Sequence, residues 1–366
     1  MKAVEINLQK NGLWQRLLPF VVIAILVVAY WPTFIGLSVE WTQWDESLSH
    51  AYPLLIWFLI LLYKVGPLGR TAQGVVIDSL LAIGLILVSI GWFLFSTIQI
   101  KILEQLILLP VLYLALAFAF GIKVVWQLRF LLLMPVFAIP VWDYLNTPLV
   151  ELASAVVGEM VRWIRIPALI DGSSIFIPSG HIMIADGCSG LRYLIISLAL
   201  GYTVSYLNGY REKGLIVSLV IAGSLGLLAN WIRIFILILV GYYTEMQSSL
   251  MEDHEAFGWL VFALICFPAI YFAPVIKAMR APVGTLGGRV STPRMLLLVL
   301  LMTPGLWLGK WVSTGNIADL PQYNPVSVGF VQTTSNLPLA PLLPPPKSSQ
   351  GFFMAGNIYL QINQYY

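Results

Sequence analysis

Cys188 has the most to offer chemically. It sits in DGCSGLRYLIISLAL, where Gly187 and Gly190 permit close backbone approach and Arg192 lies four residues on, one helical turn away. A thiol at a helix N terminus beside a guanidinium ionises more readily than a free one, and the thiolate is the nucleophilic form. The pattern predicts a reactive cysteine rather than a small buried hydrophobe. Cys266, in LVFALICFPAI, has no polar company and is expected to pack. Two cysteines build no disulfide framework.

Asn230 and Arg233 lie three residues apart in LGLLANWIRIFILILVG, on one face of an apolar helix. An arginine there must find a partner: an acidic residue, the lipid headgroups, or a reacting anion. His254, in MEDHEAFGWLVF, immediately precedes another apolar run, where an imidazole can act as acid or base near neutral pH. His50 and His181 stand in loop and turn contexts and keep a structural reading. No histidine pair has zinc spacing, no glycine-rich phosphate loop occurs, and there is no serine elbow.

The elements that position these residues are apolar helices. Of 366 residues 59% are hydrophobic and 10% charged, with a net charge of +3 and a mean hydropathy of +0.87. That composition excludes a soluble globular domain, and the scattered charge gives no nucleic-acid footprint. In lipid the backbone must satisfy itself, so an all-α polytopic fold is predicted. Apolar runs give eight to nine transmembrane helices, near 17 to 35, 51 to 63, 74 to 98, 102 to 121, 130 to 146, 189 to 207, 215 to 243, 257 to 276 and 295 to 311. The first run follows Lys2, Lys10 and Arg16 as a signal peptide would. No small-residue cleavage site follows it, and Tyr30 and Trp31 mark the exit of a retained helix.

A cytoplasmic N terminus puts 13 of the 20 basic residues on the cytoplasmic side, from Lys2 to Arg294, and leaves Lys101, Arg162, Arg165, Arg192, Arg233, Lys310 and Lys347 elsewhere. The acidic loop SVEWTQWDESLSH, the stretch from about Thr147 to Cys188 and the C-terminal tail then lie outside the cytoplasm. In that stretch Leu149, Leu152, Val156, Met160 and Trp163 recur at helical spacing beside Glu151, Glu159, Arg162 and Arg165, which describes an amphipathic interfacial helix. SSIFIPSGHIMIA then reads as a small extracytoplasmic β-hairpin leading to Cys188. Residues 1–280 form the membrane domain, with core motifs over 175–260. Residues 281–366 add one helix and a Pro-rich, mostly extended tail around LAPLLPPPKSSQG. On this topology Cys188, Arg233 and His254 share one address, the extracytoplasmic ends of the sixth, seventh and eighth spans.

At these residues the chain resembles the exosortase and archaeosortase family of membrane transpeptidases. The resemblance covers roughly residues 40 to 278 and rests on IFIPSGHIMIADGCSGLR, NWIRI and HEAFGW, in that order. SLSH at 47–50 is similar to the family's SHG, with Ala51 in place of the glycine. The family's Glu-Ala before the cysteine is here Asp186-Gly187, an acid of shorter reach.

The resemblance implies Cys188 as nucleophile, Arg233 as stabiliser of thiolate or oxyanion, and His254 as proton carrier, with no metal or organic cofactor. It also implies substrates: membrane-anchored proteins ending in a motif such as Pro-Glu-Pro, a transmembrane helix and a basic cluster, processed in a bacterial inner membrane. Arg192, one turn from Cys188, is the candidate partner for the substrate glutamate, with Asn230 and Asp186 as further candidate substrate contacts. Two other readings remain: a non-catalytic receptor whose Arg192 and Arg233 bind an anionic lipid or glycan, and a lipid-linked acyl or glycosyl transferase using His254 with Asp253 or Glu255.

Overall fold

The computed structural model describes residues 2–43, 47–184, 186–251, 254–274, 288–314, 331–333, 348–355 and 358–364. Asp253, Lys277, Arg280 and Lys347, and the tip of the acidic loop at 44–46, lie outside the described residues, as does the side chain of Asp186. The chain divides into two units, Met1–Gly309 and Lys310–Tyr366.

The first unit is helical. In order come α1 (Lys2–Ala29), α2 (Trp31–Trp41), α3 (Ala51–Val65), α4 (Val75–Thr97), α5 (Lys101–Leu106), α6 (Leu108–Phe120), α7 (Ile122–Leu133), α8 (Asn146–Trp163), α9 (Leu191–Asn208), α10 (Glu212–Tyr243), α11 (His254–Tyr271) and α12 (Thr292–Met302). α13 (Pro304–Thr314) follows. α6 is the centre: Val111, Ala115, Leu116, Ala119 and Phe120 are almost fully buried among α1, α4, α7 and α12. In α4, by contrast, 22% of the most apolar stretch is buried, and Leu80 and Leu87 are over 60% exposed. Apolar surface left open on that scale needs a lipid solvent.

Among the described residues four helical stretches are long and apolar enough to cross a membrane: Val75–Thr97, Lys101–Phe120, Glu212–Tyr243 and His254–Tyr271. The number rises to six if two bent pairs each count as one span. The expected eight to nine spans are therefore not supported. The first pair, Leu13–Ala29 and Trp31–Trp41, turns by 92° where Pro32 opens α2 and denies the chain a continuous helix. The second, Ile122–Ala138 and Pro140–Trp163, bends by 64° after the extended Ile139 that precedes Pro140.

α3 and α12, of 15 and 11 residues, reach only about 22 and 16 Å at 1.5 Å per residue, short of the roughly 30 Å hydrocarbon core. α9 carries Arg192, three tyrosines and Asn208 and also falls outside the group of spanning helices. Apolar runs thus mark most helices, although the run expected at 130 to 146 is the end of α7 followed by two 3-10 turns, Met134–Ala138 and Pro140–Leu145. α12 packs within the first unit, where the Tyr30 hydroxyl donates to the Met302 carbonyl at 3.1 Å.

α8 is the helix expected at 149 to 163. Of the apolar stripe expected at the interface, Leu152 and Trp163 are exposed and Leu149 is buried; the stripe that meets protein is Leu149, Ala153, Val157 and Val161. The small residues lie against the following sheet. That sheet has three antiparallel strands in the order β1 (Leu169–Asp171), β2 (Ser174–Ile177), β3 (Gly180–Met183). The β2–β3 hairpin is the expected one, and β1 is an addition to it. Ile175 and Ile177 point inward to meet α8 and, from α10, Ile234 and Ile238.

In the second unit β4 (Val331–Thr333), β5 (Ser348–Ala355) and β6 (Ile358–Gln364) form an antiparallel sheet in that order. The tail is extended locally, and its strands pair with one another.

His50 caps α3 and pairs its Nε2 with the Phe137 carbonyl at 3.0 Å, so the neutral ring carries its proton there. Nδ1 is also buried. Burial pushes the imidazole down to about 4 although backbone hydrogen bonds to Phe137 and Ser47 oppose the shift. The ring stays neutral in the folded protein while an unfolded chain takes up a proton near pH 6.5. Stability is therefore complete above pH 6.5 and declines as pH falls toward 4, by on the order of 2 kcal/mol. Melting of the detergent-solubilised protein at pH 7.5 and 4.5 measures this. His50→Gln is expected to flatten the dependence, and an equally steep fall in that variant would assign it elsewhere.

Candidate active site

Cys188 ends a 3-10 turn, Asp186–Cys188, two residues before the glycine that opens α9. Leu191 N–H donates to Ser189 Oγ at 3.2 Å, so the serine satisfies one of the donors at the helix start. Gly190 adopts φ +91°, a left-handed conformation that an L side chain resists. A β-carbon there would also lie 2.7 Å from Asn230 Nδ2. The loop is held from the other side by Asn230, which is fully buried and donates from Nδ2 to the Cys188 carbonyl at 2.9 Å.

One turn along α10, Arg233 is 2% exposed. Its Nε donates to the His254 carbonyl at 3.3 Å, and its guanidinium lies over the Tyr193 ring, 5.6 Å from the centroid. Its Nη1 is buried and has no hydrogen-bond partner among the described residues, and neither has Asn230 Oδ1. Tyr193 stacks on Phe262 and meets Trp259 edge-on. Gly258 makes this approach feasible: a β-carbon there would lie 2.1 Å from the Tyr193 hydroxyl and 2.7 Å from Arg233 Nε.

His254 is the first residue of α11, with Nδ1 facing the Met251 carbonyl at 3.3 Å. A carbonyl only accepts, so Nδ1 carries a proton, and in the neutral ring Nε2 is then the acceptor. Next to it Glu255 forms an ion pair with Arg192, whose side chain is 10% exposed and lies beside the Trp259 ring.

The structure thus brings Cys188, Asn230, Arg233 and His254 to one end of the α9–α10–α11 group. The links run through backbone carbonyls: Asn230 to that of Cys188, Arg233 to that of His254. Among the described residues no hydrogen bond joins the thiol to the imidazole or to the guanidinium. Cys266 is buried in apolar surroundings, as expected, and His181 lies on β3, stacked on Phe176.

Sequence reasoning missed Tyr193 and Gly258, and it named Glu255 as an acid beside His254 but not as the partner of Arg192. Tyr193 adjoins Arg192, and Gly258 lies inside HEAFGW. Each was legible as a neighbour, but its partner across the helix group was not. No group of three or more His, Cys, Asp or Glu among the described residues has the arrangement to hold a metal ion.

Gly190→Ala tests the loop. Left-handed backbone costs about 1–2 kcal/mol for a residue with a β-carbon, and the contact with Asn230 adds to that. The turn is expected to shift, changing the maleimide labelling rate of Cys188 severalfold in a Cys266→Ala background. An unchanged rate would show that the turn does not depend on this glycine.

The fold and site define a polytopic helical membrane protein with a half-buried cysteine at a helix entrance, next to a buried arginine and a histidine. The chain belongs to the transmembrane exosortase family: the family model described as transmembrane exosortase (Exosortase_EpsH) matches residues 41–271. No curated protein and no solved structure matches the chain.

Proposed function

We propose that this exosortase-family protein is a membrane cysteine peptidase or transpeptidase that processes the C-terminal sorting signals of membrane-anchored exported proteins. The observation that carries the reading is the convergence of Cys188, Arg233 and His254 at one end of three consecutive helices, with Asn230 fixing the loop between them. The substrate class follows from the family: a Pro-Glu-Pro-like motif, a transmembrane helix and a basic cluster. The chemistry is placed on the extracytoplasmic face of the inner membrane, in keeping with the charge distribution.

In this mechanism Cys188 Sγ attacks the scissile carbonyl carbon as the C–N bond breaks. His254 Nε2 receives the thiol proton and returns it to the leaving amine. Arg233 stabilises negative charge on sulfur or on the carbonyl oxygen, the use to which a buried guanidinium with an unshared donor is suited. The thioester is then resolved by an acceptor amine or by water. Asp186 and Asn230 border the loop, and Asn230 acts by positioning it.

Arg192 is the proposed partner of the substrate glutamate. Because it is paired with Glu255, the substrate carboxylate has to displace that residue. Arg192→Ala is expected to reduce discrimination between Pro-Glu-Pro and Pro-Gln-Pro reporters, and unchanged selectivity would remove this role. The overall reading is tested by processing, in cells, of a tagged reporter that ends in the sorting signal, comparing the parent enzyme with Cys188→Ala and Cys188→Ser at equal membrane expression.

A further inference from the structure

The small sheet ends in an edge strand that runs into the nucleophile's loop. Ile184 N–H donates to the Ser173 carbonyl at 2.8 Å, and the register pairs Ile175 with Ile182 and Ile177 with Gly180. In an antiparallel pair alternate residues of a strand turn their N–H and C=O groups to the same side. The backbone groups of Gly180, Ile182 and Ile184 therefore face β2, and those of His181 and Met183 face away from the sheet. Among the described residues nothing hydrogen-bonds to those outward groups.

The side chains of His181 and Met183 are exposed, with Met183 at 57%. They share an outer face with Leu169 and Phe176, and the His181 ring stacks on Phe176 at 4.6 Å. The inner face is closed by α8 and α10.

We infer that the outer edge of β3 holds an extended segment of the substrate polypeptide by strand addition, hydrogen-bonded to the backbone of His181 and Met183. The inference rests on the peptide-cleaving reading above. An edge strand repeats a donor and an acceptor about every 6.8 Å, the two-residue repeat of an extended peptide, which neither an acyl chain nor a glycan offers. Side chains of alternate substrate residues then lie on the Phe176–His181 platform. Met183 leads to Cys188 within five residues, so an added strand arrives beside the thiol in a fixed register. β1, at the opposite edge, has no such continuity with the nucleophile.

The test is disulfide crosslinking in membranes. Full-length enzyme carrying Cys188→Ala and Cys266→Ala, with Met183→Cys, His181→Cys or Leu169→Cys as its single cysteine, is co-expressed with a sorting-signal reporter. Single cysteines are scanned through the motif segment of that reporter. Strand addition is expected to give crosslinks from Met183→Cys at every second reporter position, and from His181→Cys at the same set displaced by two. Uniform crosslinking, none, or crosslinking centred on Leu169→Cys, while the parent enzyme processes the reporter normally, would overturn strand addition and leave the peptidase reading standing. A reporter that the parent enzyme leaves uncut removes the peptidase reading and strand addition with it.

Discussion

Cys188→Ala is expected to abolish reporter processing, with a loss of about 10⁴-fold or more, the scale seen when a covalent nucleophile is removed. The protein should still fold. The loop is held by backbone features, namely the Cys188 carbonyl accepting from Asn230 and the left-handed Gly190, and both survive the substitution. Removing one sulfur from a half-buried side chain costs about 1 kcal/mol or less. Cys188→Ser should be as inactive, because a serine hydroxyl with no strong base bonded to it is a poor nucleophile at neutral pH. In the parent enzyme, hydroxylamine should release the processed reporter from a thioester, and in neither variant should it do so. Full processing by Cys188→Ala would eliminate the covalent mechanism and favour the receptor or lipid-linked transferase readings.

Arg233→Met is expected to lower processing by about 10²–10³-fold, the range for loss of a preorganised donor to a developing negative charge. It should not lower stability. Breaking a buried ion pair is costly because it strands the other charge; among the described residues Arg233 has no acidic partner to strand, an unpartnered Nη1 and one hydrogen bond, to the His254 carbonyl. The two readouts separate the roles. A structural arginine would give a destabilised protein whose residual activity follows the amount folded, whereas a catalytic one gives a well-folded inactive protein. Arg233→Lys retains the charge without the planar fork and should recover only part of the rate. A stable, fully active Arg233→Met would take Arg233 out of the mechanism.

Much of this was legible in the sequence because the signals are local. The lipid solvent follows from composition, and the positions of most helices from apolar runs. The β2–β3 hairpin follows from β-branched residues around Pro178-Ser179-Gly180, and the membership of Cys188, Arg233 and His254 in one constellation from three ordered motifs. The number of crossings was not legible. Whether a run crosses depends on where it bends, and the turns at Tyr30 and Ile139 are set by how the chain repacks around a proline. Which face of α8 meets protein was not legible for a related reason. In lipid both faces of a helix can be apolar, so periodicity does not say which one meets protein, and small residues such as Ala153 and Gly158 mark the packed side.

The sequence by itself therefore determined the class of protein and the residues worth testing, since composition and motif order act through local chemistry. Tertiary structure decided what those residues face. It turned Asn230 to the Cys188 carbonyl and Arg233 to the His254 carbonyl, paired Arg192 with Glu255, and, among the described residues, left the outer edge of β3 without a backbone partner. Each of these joins groups on different elements. Such pairings are fixed by how helices and strands pack in space, where buried polar groups take the partners that packing supplies.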